Sequence, residues 1–597
     1  MRPLCLGWLA VWLGALTARA FVVSVDQTGA SPHWDLVTPE AHVSPGAPIP
    51  VSTNVVNPIT RAVRFFLAAD AYSSTNTAAE LNAVRAAFAQ WQAVPGTLLK
   101  FEDAGLVAAG VDVDELDNTN VVFWAKNSTL VAGGTADIGY AQAMTYYATL
   151  DNVIVGADIV FNAVGDHYRW YTDFDYTPLG AWYQFVEQVA LHEIGHFIGL
   201  EHSPAGGTTL YFRGGVGIGP RLGLSNDDVL GAQFLYPQGT LLATRGRIQG
   251  RVTMNGAGVL GAIVCAEDPA GNLVTATLSR QDGAYDLPTL VPGNYQVRAS
   301  PLDPQASYYL ARGEDILAPD FSPAQTGFLP TTNVPVVVQA NAVTIRDFSV
   351  AVGPPAFRIA QLREPTLDVG AQILLRTGAA VVVGQSQVVL GVYGPNLPAS
   401  GATLEITGDG LSVTPLASTS EYYGLSLISA LVSVSTTATP GLRSFVVRHG
   451  NDLAYANGFL EVQPAVMDYN SDGLEDRFQR KYFSLWTAPE AGPDADPDGD
   501  GFNNRFEYLG GSDPTRADSG PSARLERVTL TAQGSVLGWQ AVPGLRYQVF
   551  SRNGFSAAET WMPAGSPVLA TNAVAQFHDA SATNFIRFYR VQTLRPL

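Results

Sequence analysis

Three of the chain's eight histidines lie within one short segment, ALHEIGHFIGLEHS. The segment has the pattern H-E-x-x-H-x-x-G-x-x-H, formed by His192, Glu193, His196, Gly199 and His202. On a helix, residues four apart project from one face one turn apart, so His192 and His196 can grip a single ion. Gly199 lets the chain leave the helix sharply and return His202 as a third ligand. Three neutral imidazoles with one open position are typical of a catalytic zinc site.

Glu193 is offset by one residue from the first histidine and is expected to lie beside the metal. Zinc lowers the pKa of a bound water to about 7 and polarises a peptide carbonyl. Glu193 would then take the water's proton as general base and pass it to the leaving amine. A closed structural zinc is the alternative, but it needs a fourth ligand, and no Cys or His follows nearby.

Alternating strands and helices must hold this motif in place. The patterns predict strands at 62–68, 120–124 and 156–162, and helices at 77–96, 181–199 and 225–237. Thr77 and Glu80 are spaced as a capping box for the first helix, and Ser225 is the expected N-cap of the third.

The motif and its surroundings resemble the matrixin family of the metzincins over roughly residues 30–237. The likeness rests on HEIGHFIGLEHS, on GADIVFN before it and on RLGLSNDDVLGAQFLYP after it. It implies an α+β endopeptidase domain with one catalytic zinc, ligands His192, His196 and His202, base Glu193, and protein or peptide substrates. Substrate would lie along an edge strand within 137–147, with a pocket wall at 207–223.

Three departures from the family's pattern have consequences. Leu210 stands where the family has a methionine beneath the zinc, a swap of similar volume that costs under about 1.5 kcal/mol. Val160 and Asn162 replace a histidine and an aspartate of a structural zinc site, so we expect one zinc and not two. We also expect no latency through a propeptide cysteine.

The composition is that of an exported protein without a nucleic-acid partner. The net charge is −19, which argues against nucleic acid and anionic membranes. Arg2, the apolar run 4–16 and Ala18-Arg19-Ala20 predict a signal peptide at 1–20 and no transmembrane anchor. Removal of this signal peptide would leave Cys265 as the one remaining cysteine of the sequence. We expect Cys265 to be a small buried hydrophobic residue.

The remaining chain reads as β domains and one acidic module. We predict a protease domain at 21–240 (core about 55–237), followed by β-sandwiches at 245–353 and 355–464. These resemble carboxypeptidase-regulatory-like and immunoglobulin- or TIG-like modules, and 522–597 resembles a fibronectin-III-like domain. We expect them to act as spacers, or to bind an extracellular polymer or cell-surface ligand.

Residues 467–518 carry twelve Asp or Glu against five Lys or Arg. DPDGDGFNNRFE matches the calcium-loop pattern, with oxygens from Asp496, Asp498, Asp500, the Phe502 carbonyl and Glu507. A second match, DYNSDGLEDRFQ, offers Asp468, Asn470 and Asp472 but ends on the neutral Gln479. We therefore predict an EF-hand-like module, similar to dockerin and thrombospondin-3 loops, that binds calcium more strongly at the first-named loop.

The sequence thus predicts a multidomain, secreted zinc endopeptidase. The alternative is a catalytically inactive metzincin-like domain that binds zinc or peptides on an adhesin-like stalk. The intact Glu193 favours the enzyme, and Leu210 favours the binding protein.

Overall fold

The computed structural model describes residues 31–36, 52–139, 141–165, 167–175, 182–211, 223–302, 324–325, 327–364, 375–416, 421–422, 425–554, 559–582 and 586–595. The predicted signal peptide lies outside them. The chain forms two compact units, one up to Ala465 and one from Val466. No helix in the described part of the chain is both long and apolar enough to cross a membrane.

The first unit begins with a five-stranded sheet in the order β2-β1-β3-β7-β6. Strands β1, β2, β3 and β7 are parallel, and the edge strand β6 runs antiparallel to β7. Two small ribbons, β4-β5 and β8-β9, lie outside this sheet. The strands are β1 Val63–Ala68, β2 Phe101–Val107, β3 Val121–Ala125, β4 Leu130–Val131, β5 Ala136–Asp137, β6 Ala143–Leu150, β7 Val153–Asn162, β8 Arg169–Tyr171 and β9 Tyr183–Phe185.

Three helices accompany this sheet: α1 Thr77–Gln92, α2 Val186–Phe197 and α3 Asn226–Leu235. The ring of Phe88 on α1 stacks on Phe65 of β1 at 3.9 Å. The indole of Trp91 donates to the backbone carbonyl of Leu191, which ties α1 to α2 at 2.9 Å. Helix α2 is therefore fixed by a buried aromatic core, and a functional side chain on it is held rigidly.

Two predictions about these helices were wrong. The second helix begins at Val186 and not at 181, because 183–185 form β9 and pair with β8. Phe185 packs on Tyr171 at 5.4 Å, so tertiary burial overrides the helical pattern there. At α1, Thr77 and Glu80 form no capping box. Glu80 instead accepts from the backbone N–H of Ser73, at 3.0 Å, in the turn before the helix.

Two β-sandwich layers complete the first unit. The strands are β10 Gly246–Met254, β11 Ala257–Gly258, β12 Ile263–Glu267, β13 Leu273–Leu278, β14 Ala284–Leu290, β15 Gly293–Ser300, β16 Val334–Val338, β17 Val343–Ile345, β18 Phe348–Ser349, β19 Gln361–Arg363, β20 Leu375–Arg376, β21 Ala379–Val382, β22 Val388–Gly394, β23 Thr403–Ile406, β24 Leu411–Leu416, β25 Glu421–Tyr422, β26 Leu425–Val434, β27 Gly441–His449 and β28 Asp452–Gln463. One sheet runs β16-β15-β12-β13-β27-β28-β21, with β23 on β27. It joins strands of both predicted sandwiches through the pairing of Leu273 with Leu442. Cys265 is buried in this sheet, as predicted.

The second unit contains the acidic module and a terminal β domain. Its elements are α4 Asp476–Tyr482, α5 Asn504–Gly510, β29 Arg524–Thr531, β30 Gly534–Gln540, β31 Arg546–Arg552, β32 Met562–Pro563, β33 Val568–Leu569, β34 Val574–Asp579 and β35 Phe588–Leu594. A short 3-10 turn occurs in this unit at Pro489–Ala491, and two others occur in the first unit at Ala132–Gly134 and Leu241–Thr244. Phe502, which lies within the acidic loop 496–507, is buried in one apolar cluster with Trp539 and Tyr547. The acidic module therefore shares a core with the β domain that follows it.

Candidate metal centre

The end of α2 places the three histidines. Gly199 has φ +94°, a conformation that favours glycine, and a Cβ there would overlap the backbone carbonyl of Pro32. The carbonyls at this helix end are also satisfied from outside, because Trp34 Nε1 donates to Phe197 and the Tyr236 hydroxyl donates to Ile198. The chain thus turns at a fixed point and brings His202 back towards the helix.

The three imidazoles of the motif lie close together. His192, His196 and His202 each offer a ring nitrogen, and these atoms lie within 4.8 Å of one another. The Nε2 atoms of His192 and His196 are 3.2 Å apart. Two nitrogens bound to one tetrahedral zinc at 2.0–2.1 Å are about 3.3 Å apart, so this spacing fits a shared ion. All three side chains are half-buried, which leaves the site open to one side.

Backbone carbonyls fix which ring nitrogen can bind a metal. Nδ1 of His192 lies 2.8 Å from the carbonyl oxygen of Thr209, and Nδ1 of His196 lies 2.8 Å from that of Leu200. Since a carbonyl only accepts, each Nδ1 carries the proton, and each Nε2 has a lone pair for a metal. Burial, followed by the nearby His196 and His192, lowers the pKa of His202 well below its usual value. The donor set is therefore three imidazoles, each able to offer a ring nitrogen, which fits zinc.

Glu193 lies beside this cluster and is not one of its three members. Its side chain is 4% exposed, and burial raises the pKa of its carboxyl. The hydroxyl of Thr145 donates to Oε2 of Glu193 at 2.8 Å and lies 2.9 Å from the Glu193 carbonyl. Because Thr145 belongs to the edge strand β6, the carboxylate is held between the helix and that strand. Thr145 was not among the predicted site residues, since only tertiary structure brings β6 to α2.

Leu210 packs directly beneath the helix. Its side chain is 1% exposed, and a Cβ added at Gly195, one residue before His196, would overlap it. Leu210 therefore occupies the apolar position expected of it. Residues 212–222 of the predicted pocket wall lie outside the described residues.

The second departure, at Val160 and Asn162, also has a structural correlate. Val160 is fully buried in an apolar cluster with Phe123 and Val121, so its position on β7 faces hydrophobic surroundings. Asn162 donates from Nδ2 to the carbonyls of Gly139 and Ala141, each at 3.0 Å. A carboxylate could not make these two bonds, because it has no donor.

The acidic loop 496–507 brings three predicted ligands together. Asp496, Asp498 and Asp500 place carboxylate oxygens within 4.8 Å of one another. Glu507 is fully buried, and its Oε2 has no hydrogen-bond partner. Burial, followed by these three carboxylates, raises the pKa of Glu507 to about 7. Phe502 has its side chain in the core of the β domain, where it anchors the loop.

The loop 468–479 is arranged differently. One carboxylate oxygen of Asp472 accepts from Asn470 Nδ2 at 2.9 Å and from Gln479 Nε2 at 2.7 Å. Asp468 accepts from the backbone N–H groups of Asp472 and Gly473. Side-chain amides thus already donate hydrogen bonds to the Asp472 carboxylate, which a cation would otherwise coordinate.

Comparisons with known proteins identify one region. Residues 61–237 match the family model Peptidase_M10, Matrixin, which supports a matrixin-like zinc metalloprotease domain in this part of the chain. A search of the curated proteins found no match.

Solved structures give only distant likenesses. The minor pilin GBS52 of Streptococcus agalactiae is 9% identical, with 20% of this chain and 49% of that chain covered and a TM-score of 0.13. The pilus 2b backbone protein of group B streptococcus is 13% identical, with 18% and 42% covered and a TM-score of 0.13. The major pilin BcpA of Bacillus cereus is 9% identical, with 56% and 85% covered and the same score. The chain spans less than half of the length of the first two pilins.

Proposed function

We propose that the protein is a zinc-dependent endopeptidase in which His192, His196 and His202 hold the metal and Glu193 is the general base. The observation that carries this proposal is the convergence of three imidazoles beside a buried carboxylate that is not itself in the cluster. When bound there, zinc supplies a Lewis acid that polarises the scissile carbonyl and acidifies a water.

The protein's own groups would do the rest of the chemistry. Glu193 accepts the water's proton on its carboxylate as the oxygen attacks, and then gives it to the leaving nitrogen. The Thr145 hydrogen bond holds the carboxylate in one orientation, which limits the reorganisation needed for this transfer. Burial raises the pKa of the Glu193 carboxyl above its usual value, which makes its carboxylate a stronger base.

The edge strand β6 is the proposed place for substrate. It ends the sheet next to β7 and contributes Thr145 beside Glu193. An extended peptide that adds to this edge by main-chain hydrogen bonds would pass the catalytic carboxylate. We further propose that the chain is secreted after cleavage following Ala20, and that the β domains space the protease or bind an extracellular polymer or cell-surface ligand.

The wild-type protein provides the first test. We expect elemental analysis to give one tightly bound zinc per chain, and we expect hydrolysis of an unfolded protein substrate. A chelator should abolish hydrolysis, and added zinc should restore it. A zinc-loaded protein that cleaves nothing across a broad peptide library would support the inactive binding protein instead.

We also propose that loop 496–507 binds calcium. The specific observation is Glu507, a fully buried carboxyl whose Oε2 has no partner next to three further carboxylates. A cation with several oxygen ligands would neutralise this group and satisfy that oxygen. Loop 468–479 should bind calcium more weakly, because Gln479 and Asn470 already donate to Asp472.

Calcium is expected to stabilise the second unit, more strongly as the pH rises. At 100 times its dissociation constant a ligand adds about 2.7 kcal/mol. The pKa of Glu507 is about 7 in the folded chain and 4.5 ordinarily, so without calcium its ionisation removes stability as the pH rises from 4.5 to 7. Thermal unfolding of the full chain at pH 5 and pH 8, with and without millimolar calcium, measures both effects.

Glu507→Gln is the matched variant for this experiment. It keeps the side chain's size and removes the charge, so both the calcium shift and the pH dependence of the calcium-free protein should diminish. An unchanged melting curve with calcium at pH 8 would reduce the loop to an acidic linker.

A further inference from the structure

The segment that follows the third histidine is enclosed by the β-sandwiches. We call Ser203–Tyr211 the zinc loop, because it continues from His202 and carries Leu210. All nine of its residues are buried. A loop normally lies on the surface, since its backbone polar groups need water or other partners. The strands that cover the zinc loop can therefore affect the metal site to which the loop is joined.

One side of the zinc loop is tied to β13 through Asp227 at the start of α3. The hydroxyl of Ser203 donates to Oδ2 of Asp227 at 2.7 Å. Oδ1 of Asp227 accepts from the Thr275 hydroxyl at 2.6 Å and from the backbone N–H of Ala276 at 3.0 Å. Asp227 is 1% exposed. A buried carboxylate with three donors makes strong bonds and resists displacement.

The other side of the loop lies against β27 and β28. The backbone N–H of Gly206 donates to the carbonyl of Asn457 at 2.9 Å. A Cβ on Gly206 would overlap the ring of Phe459, and a Cβ on Gly207 would lie 2.6 Å from the carbonyl oxygen of Gly458. The two glycines thus allow backbone to pack on backbone, with no room for a side chain between them.

The zinc loop is connected to the proposed metal site at three points, so the position of the loop affects the site. Ser203 directly follows His202. The carbonyl of Thr209 accepts from Nδ1 of His192, and Leu210 packs beneath Gly195. A shift of the loop would therefore move the third ligand, the outer partner of the first ligand and the floor of the site together.

We propose that the β-sandwiches are a supporting wall of the zinc site and that Thr275 is a positioning residue, acting through Asp227 and the zinc loop. The proposal rests on the proposed zinc chemistry for its effect on activity, but its effect on metal retention does not depend on turnover. If the sandwiches only space the protease, substitutions in β13 have no reason to alter metal binding.

The test compares Thr275→Val with Thr277→Val in the full chain. Both threonines are fully buried on β13, and the hydroxyl of Thr277 has no hydrogen-bond partner. Each substitution exchanges a hydroxyl for a methyl at similar shape, so the second is a matched control for packing. Outer partners of metal ligands are worth about 10–100-fold in metal affinity. We expect Thr275→Val to lose zinc to a chelator about tenfold faster than wild type, and Thr277→Val to match wild type.

Asp227→Asn provides a second variant, because it turns one acceptor into a donor that faces other donors, and it should also speed zinc loss. The Co²⁺-substituted proteins give an independent readout, and only the spectra of Thr275→Val and Asp227→Asn should change. Equal zinc release and spectra for wild type, Thr275→Val and Asp227→Asn would overturn the proposal. A wild type that retains zinc but cleaves nothing would instead contradict the proposed function and leave this comparison valid.

Discussion

Glu193→Gln is expected to retain zinc and to lower kcat/KM by about 10²–10⁴-fold, the usual contribution of a general base. Glutamine has the size of glutamate, and its amide oxygen can still accept from Thr145, so the side chain should keep its place. The amide cannot take the water's proton at neutral pH. Zinc content and the kinetics of peptide hydrolysis, measured on the same preparation, test this directly.

Glu187→Gln is the control for burial and charge on the same helix. Glu187 is also buried, with an exposed fraction of 2%. Its Oε1 accepts from Nε2 of Gln90 on α1 at 2.7 Å. We expect its substitution to leave hydrolysis within a few-fold of wild type. Glu193→Asp should recover part of the lost rate, because it restores a carboxylate at a greater distance. Cleavage by Glu193→Gln at the wild-type rate would refute the mechanism, even if the metal centre is correct.

His196→Ala is expected to lose both the metal and the activity. Even outer partners of metal ligands are worth about 10–100-fold in affinity, so removal of a ligand should cost more than about 100-fold. The variant should contain little zinc after dialysis and show no hydrolysis above background. Because zinc bound to the folded state stabilises it, a chelator should lower the melting temperature of wild type but not that of the variant.

His449→Ala serves as the control for loss of a histidine. His449 ends β27, its side chain is exposed, and it is not part of the three-histidine cluster. Its zinc content, hydrolysis and response to a chelator should equal those of wild type. If His196→Ala retained a full equivalent of zinc, the assignment of the three ligands would be wrong.

Local pattern predicted much of the protease domain's framework. The strands β1, β3 and β7 and the helix α3 with its Ser225 cap occur where hydrophobic period and capping residues placed them. The failures occurred where distant partners compete with local preference. Phe185 pairs with β8 in a ribbon, and Glu80 bonds to Ser73 and not to Thr77.

The site divides in the same way. Its three candidate ligands and Glu193 could be predicted from one segment, because a helix and a glycine turn fix their relative positions over eleven residues. Thr145 and Thr275 could not be found by spacing. Thr145 is 48 residues from Glu193, Thr275 is 48 residues from Asp227, and the two threonines lie on different strands. Their roles follow from contacts that no sequence period encodes.

The sequence by itself determined which groups are available for chemistry: three histidines with metal-ligand spacing and an adjacent carboxylate, and an acidic loop with calcium-ligand spacing. Only the tertiary structure decided how those groups are held. It placed Thr145 on Glu193, buried Glu507 with an oxygen left unpartnered, and enclosed the zinc loop between α3, β13 and β28. The physical reason is that local spacing fixes which side chains share a helix face or a loop. Burial and hydrogen bonding between distant segments fix their charge, orientation and stability.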